Sequence, residues 1–340
     1  MIGGDPMHTF RSSYKGPSGR LNVKWSLPIS PLVFGGNGPV IGANGTVYVT
    51  TNLDRNGISY LYALDGRNGN VLWKNSFSDL GSVSPAIGLD GTIYIQAGGG
   101  IYALAGDNGL VKWNTSIYIG IFNAPYISQL TLGNDGNIYV ISEYHVHAIH
   151  PSTGILLWKK YVDGGGREGP TLDTFGYVYV SGFTDSLYSI YRIFGTFSWT
   201  LPGIDSSQSS PAIGTFDNRN VLYIGGRRFV YAVDRRVPRV VWTYPVGGAV
   251  AGIAQDGTVF VGLNTYELFA LDGTTGQLKW QFDPKGDFIT SFIIDADNKI
   301  YLGTYSSHLF IIDGFSGDLL WTYEGQHSAY SFSAIGESCI

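Results

Sequence analysis

The chain has 340 residues, 44% apolar and only 14% charged, with a formal net charge of −5 and a single cysteine, Cys339. An acidic balance argues against general nucleic-acid binding, which needs clustered Lys and Arg to neutralise phosphates. One cysteine rules out an intramolecular disulfide and a cysteine-rich metal centre, and no apolar run is long enough to cross a bilayer as a helix.

Taken in order, Met1 to Pro6 lacks the basic and apolar regions of a signal peptide, which leads to the expectation of an intracellular or already processed protein. Gly3-Gly4-Asp5-Pro6 is poor strand material. Tyr14 and Trp25 then open a series. Eight tryptophans, at 25, 73, 113, 158, 199, 242, 280 and 321, each follow an aromatic ring by eleven residues; those rings are Tyr14, Tyr62, Tyr102, His147, Tyr188, Tyr231, Phe269 and Phe310. The spacings of 48, 40, 45, 41, 43, 38 and 41 mark one supersecondary unit copied along the chain.

The clearest copy ends at Trp113. Ser84-Pro85-Ala86-Ile87-Gly88 is strand A, and Asp90-Gly91 is a turn leading to strand B, Thr92-Ile93-Tyr94-Ile95. Strand C, Ile101-Tyr102-Ala103-Leu104, turns through Asp107, Asn108 and Gly109 into strand D, Leu110-Val111-Lys112-Trp113. Strand B recurs as Val47-Tyr48-Val49, Ile138-Tyr139-Val140, Val178-Tyr179-Val180, Leu222-Tyr223-Ile224, Val259-Phe260-Val261 and Ile300-Tyr301-Leu302. Consecutive apolar positions mean sheets buried on both faces, hence blades stacked around a ring: an all-β propeller.

The nineteen residues after Trp321 and the twenty-five up to Trp25 together make one more repeat. The expectation is one domain over 1–340 with eight four-stranded blades. Residues 26–321 form seven complete blades, 322–340 give strand A of the closing blade, and 11–25 give its strands C and D. Seven blades with trailing ends is the alternative. Ser331, Phe332 and Ile335 fall on the closing strand A, and its strand B has no obvious donor. That leaves an open edge for a partner strand.

Among chemistry-bearing residues, Glu143, His145 and His147 alternate along a strand and share a face, the spacing of a metal site. Against this, His147 replaces a core aromatic and His150 the turn aspartate seen at Asp65. The fifth unit concentrates arginine: Arg219, Arg227, Arg228, Arg235, Arg236 and Arg239, a positive patch suited to an acidic partner. Asp163 to Gly169, with Arg167 and Glu168, is a glycine-rich connection between blades without the phosphate-cradling Gly-Lys-Ser/Thr ending. It lies, with Asp205, Lys285, Asp287 and His327, where loops surround a channel mouth, the default place for a ligand. Asp295-x-Asp297 reads as a turn rather than a calcium loop. No hydrolase, zinc-protease or dinucleotide motif occurs.

The pattern Asp-Gly-Thr-Ile-Tyr-Ile, then Leu-Tyr-Ala-Leu-Asp, then Gly-x-x-x-Trp resembles the repeat of pyrroloquinoline-quinone (PQQ) alcohol dehydrogenases, across nearly the whole chain. The stretch from Asp5 to Pro17 is similar to the start of stand-alone PQQ-like propellers. The resemblance implies a propeller that hosts redox enzymes, assembly scaffolds or surface proteins. Its enzymes hold the quinone with a vicinal Cys pair, a stacking Trp and Ca²⁺ ligands from Glu, Asn and Asp. A single cysteine and eight structurally placed tryptophans depart from that pattern. The expectations are therefore no catalysis, no cofactor and no metal. The expected role is structural or interactive, resembling the family's outer-membrane assembly lipoprotein and secreted members, at the cell surface or in the periplasm. The expected partner is protein, including self-assembly into homo-oligomers or filaments through residues 1–10 and 329–340. The competing expectations are a ligand- or quinone-binding enzyme at the channel mouth and a scaffold for other proteins.

Overall fold

Turn chemistry builds the blades. At six of the A–B hairpins an Asp or Asn side-chain oxygen caps the turn, as Asp90 does by accepting the Thr92 N–H at 3.0 Å. At the C–D hairpins Asp65, Asp234, Asp272 and Asp313 accept the N–H two residues on. A computed structural model describes residues 5–16, 23–28 and 38–324, apart from 52, 55, 79, 81–82, 118–126, 143, 164–168, 183, 206–208, 217–218 and 264. Within them, 28 strands form seven antiparallel four-stranded sheets, each in chain order. They are blades 1 to 7, over residues 40–77, 86–116, 131–161, 171–202, 212–244, 249–282 and 289–324.

Strands B and C carry the core. Ile93–Ala97 and Ile138–Ser142 are buried at every position, as consecutive apolar residues require. Strand D alternates and faces outward, so Val71–Phe77 and Val111–Ser116 leave every second side chain exposed. Tyr139, Tyr179, Tyr223 and Phe260, all from strand B, are fully enclosed.

The tryptophans join neighbouring blades. Trp73, at the edge of blade 1, donates its indole N–H to the Gly106 carbonyl of blade 2 at 2.9 Å. Its ring lies against Gly109, where φ is 75° and an added Cβ would sit 2.8 Å from the indole. This explains the glycine four residues before most tryptophans: it leaves room for the preceding blade's ring. Trp113, Trp158, Trp199 and Trp242 repeat the bond onto Pro151, Arg192, Arg235 and Gly273. Trp25 does the same onto Gly66 at 2.9 Å, from residues 23–28, which form no strand.

The expectation of eight blades is overturned. The described residues contain seven sheets, and residues 11–16 and 23–25 of the stretch assigned to strands C and D of a closing blade contribute none. Arg11 makes one isolated parallel bridge to Ile294, the last residue of strand A in blade 7. Tyr14 is exposed rather than an enclosed strand C aromatic. Its neighbours are instead drawn onto blade 7. The Ala296 N–H bonds the Tyr14 carbonyl at 3.0 Å, the Gly16 N–H bonds Asp295 at 2.9 Å, and Lys15 pairs with Asp297. Residues 329–340, with Ser331, Phe332 and Ile335, lie outside the described residues.

Candidate functional site

Strand A is the innermost strand of each blade, and residues 5–12 run along four of these strands in turn. The carbonyls of Pro6, Met7, Thr9 and Phe10 accept the N–H groups of Leu172, Ile213, Ile253 and Ile294, at 2.8, 3.0, 2.9 and 2.9 Å, in blades 4, 5, 6 and 7. The Ser12 N–H returns a bond to the Ile294 carbonyl at 2.7 Å. Asp5 shapes the entry by accepting the Met7 N–H at 2.8 Å and the Thr9 hydroxyl. Burial raises its carboxyl above the ordinary range, against the pull of those hydrogen bonds. Phe10 is enclosed with Phe260, Phe292 and Ile294.

His8 is 2% exposed, and neither ring nitrogen makes a well-formed hydrogen bond. Burial drives its pKa down to about 4, and the Pro170 carbonyl opposes this only in part. The segment thought available to a neighbouring copy is thus engaged, from residue 5 onward, in its own ring. Sequence reasoning missed this because the contacts are backbone bonds, which leave no side-chain period.

On the face formed by D–A loops and B–C turns, the flagged aspartates act as clamps. Asp163 accepts the Thr184 N–H at 3.0 Å. Asp205 accepts Arg227 at 2.8 Å and Arg228 at 3.4 Å, while Arg227 also reaches Asp185 at 3.0 Å. Asp287 accepts Thr304 at 2.6 Å, the Ser306 N–H and hydroxyl, and His308 at 3.2 Å. Burial would raise Asp205 and Asp287, yet these donors more than offset it and hold both carboxyls low. Beside Asp287 lies a cavity of about 230 Å³ lined by Pro284, Lys285, Ser306, His308, Phe310 and Glu324, among others. His308 sits between Asp287 and Glu324, the latter 4.0 Å away, with Lys285 also lining the cavity. This row can seat a small polar molecule. Arg167, Glu168 and His327 lie outside the described residues.

The arginines of blade 5 do not form one patch. Arg227 and Arg228 lie at the B–C turn, whereas Arg235, Arg236 and Arg239 lie at the opposite end of strand C. Arg235 is a joint, not a docking group. Only 7% exposed, it pairs with Asp173 of blade 4 and stacks 4.3 Å above Phe175. Arg192 pairs likewise with Asp135 of blade 3. Arg192 and Arg235 occupy the turn position held by Gly66, Gly106, Gly273 and Gly314, a signal legible in the repeat alignment. Arg236 and Arg239 are exposed. Of the candidate metal set, Glu143 lies outside the described residues. His145 meets Tyr161 edge-on at 5.6 Å, and His147 is buried at the core-aromatic position. His150 does take the turn role, its Nδ1 accepting the Ser152 N–H at 3.3 Å.

Comparison with known proteins places this geometry. Among solved structures, a quinohemoprotein alcohol dehydrogenase of Pseudomonas putida aligns over 97% of this chain and 73% of its own, with TM-score 0.79 and 14% identity. A europium-containing methanol dehydrogenase aligns over 98% and 86%, with TM-score 0.77 and 14% identity. BamB from Moraxella catarrhalis aligns over 88% of both chains, with TM-score 0.65 and 15% identity. These likenesses are of fold. A curated relative, the serine/threonine-protein kinase AfsK of Streptomyces griseus, is 23% identical over 198 residues, 55% of this chain. The match spans about a quarter (24%) of that kinase's length.

Among the described residues, the side chains present do not fit the calcium that accompanies a bound quinone. Trp25, Trp73, Trp113, Trp158, Trp199 and Trp242 are locked between blades, there is one cysteine, and no metal-holding group of three His, Cys, Asp or Glu occurs among the described residues. The family described as outer membrane protein assembly factor BamB matches residues 22–201 and 226–339. The chain therefore belongs to this BamB-like family of PQQ-repeat β-propellers.

Proposed function

We propose that the chain is a non-catalytic interaction propeller, acting outside the cytoplasm as a scaffold for other proteins. The carrying observation is a rim of exposed apolar side chains at the C–D turns of adjacent blades. Leu110, Ile155, Ile193, Phe194 and Val237 come from blades 2 to 5, with Ile193 77% and Phe194 71% exposed. Phe175, from an A–B turn on the same face, adds to them. Such a run of large apolar groups marks a protein-binding surface, and exposed Arg236 and Arg239 suit it to a partner with carboxylates. Kinship with an assembly factor supports the same reading.

Photo-crosslinking residues placed at Phe194 and Val237 in producing cells test it. The expected result is discrete polypeptide adducts that Ile193→Asp abolishes while the fold is retained. A probe at Leu72, on blade 1, serves as control. Adducts absent at the rim, or equal at Leu72, refute the proposal. The blade 7 cavity supports a second reading, a small-ligand site. Thermal-shift titration of His308→Ala against the unaltered protein, across small polar ligands, distinguishes it.

A further inference from the structure

We infer that the inner wall of blades 4 to 7 is a peptide-binding groove, occupied here in cis by residues 5–12 and able to exchange them for an extended segment of another polypeptide. The site is built from both sides. Four strand A N–H groups point at the carbonyls of occupant residues 6, 7, 9 and 10, so the main-chain part of the recognition is independent of sequence. Side-chain selection comes from the apolar recess of Phe260, Phe292 and Ile294 that takes Phe10, while the occupant's own Asp5–Thr9 bond sets the turn with which it enters. Gly252 completes the cradle, since a Cβ there would stand 2.9 Å from the Thr9 carbonyl.

The cis occupant fits this groove imperfectly. His8 and Phe10 both adopt φ of 55°, a left-handed conformation that side chains resist. The His8 imidazole is also shut from water without well-formed hydrogen bonds. A segment with glycine at the His8 place avoids both costs there. The partner chemistry is thus an extended peptide with an acidic residue four places before a hydroxyl residue and five before an aromatic one. This surface is separate from the apolar rim, and each can fail without the other.

Two forms of the full chain test the inference. One carries Phe10→Ala, and the other is folded and then nicked at a protease site placed within residues 17–22. Each is titrated with a fluorescein-labelled peptide of residues 5–16, with its His8→Gly form and with a scrambled form, following anisotropy. The unaltered chain should bind none of them. Both weakened forms should bind the native peptide saturably, the His8→Gly peptide roughly five-fold more tightly, and the scrambled peptide not at all. The inference is overturned if the scrambled peptide binds equally. It is also overturned if the nicked ring, folded by its tryptophan fluorescence, neither binds the peptides nor exchanges its own fragment over days. Should Phe10→Ala fail to fold, the nicked chain alone decides.

Discussion

Removing the Arg235 side chain probes whether blade-to-blade ion pairs hold this ring together. Arg235 is 7% and Asp173 2% exposed, and the two join blades 5 and 4. In Arg235→Ala the Asp173 carboxylate stays buried but loses its counter-charge. It retains the N–H groups of Phe175 and Tyr177, at 2.9 and 2.8 Å, and the Tyr179 hydroxyl at 3.0 Å. Breaking a buried pair from one side costs about 3–5 kcal/mol, and the three surviving bonds place this case near about 3 kcal/mol. With an unfolding entropy of about 2.1 cal/mol/K per residue over a 340-residue chain, 1 kcal/mol corresponds to roughly 1.4 °C, so Tm should fall by about 4 °C. Differential scanning calorimetry measures it, with exposed Arg236→Ala as the control. The double variant Arg235→Met, Asp173→Asn should recover most of the loss, because no uncompensated charge remains. If Arg235→Ala melts within about 1 °C of Arg236→Ala, the pair does not support the joint and the reasoning is wrong.

Gly109→Ala forces a side chain into left-handed backbone and against Trp73 at 2.8 Å. It should cost about 2 kcal/mol or more in urea titration, and a neutral outcome would show that the tryptophan joint is loose. Burial holds His8 and His147 near 4 instead of the ordinary 6.5, so the unfolded chain takes up these protons first. Their contribution is intact above about pH 6.5 and is lost as pH falls toward 4; Asp5, whose raised pKa works in the opposite sense, tempers the loss below. His147→Phe should flatten that acid limb and add about 1 kcal/mol at neutral pH by removing a buried nitrogen without a partner; an unchanged pH slope would argue against it. Addition of quinone with Ca²⁺ should leave Tm unmoved, and a saturable rise would reopen the enzymatic reading.

The blades were legible because their signals are local. Asp90-Gly91 is a hairpin wherever it occurs, and consecutive apolar residues such as Ile138-Tyr139-Val140 need a sheet covered on both faces. The tryptophan period fixed the joints, although not their chemistry: Gly109 reads as a turn residue until Trp73 is seen against it. Counting repeats failed at the termini, where the Tyr14–Trp25 spacing matches the others but residues 5–16 find stronger partners on the inner strands. Pro6 offers no N–H for a strand, yet its carbonyl bonds Leu172 as well as any other residue would. The arginine cluster misled for a related reason. Neighbours in sequence at 228 and 235 lie at opposite ends of one strand, which sends one to a loop face and the other into a joint.

The N-terminal stretch also ties two features into one. Residues 12–16 fasten to blade 7 through Ile294, Asp295 and Asp297, and Trp25 fastens to Gly66 of blade 1. The Gly16–Asp295 bond spans 279 residues of sequence, whereas the tryptophan joints between consecutive blades span between about 30 and 40. Loop-closure entropy makes such a contact the slowest to form and the least supported by local structure. Residues 5–12 continue directly from the blade 7 fastening at residues 12–16 into the channel, so what fills the channel and what is fastened to blade 7 are neighbouring parts of one stretch. Displacing the first part loosens the attachment of the second, because Ser12 belongs to both through its bond to Ile294. A ligand that exchanges with residues 5–12 therefore acts on the same stretch that is fastened to blade 7 through Ser12 and Gly16.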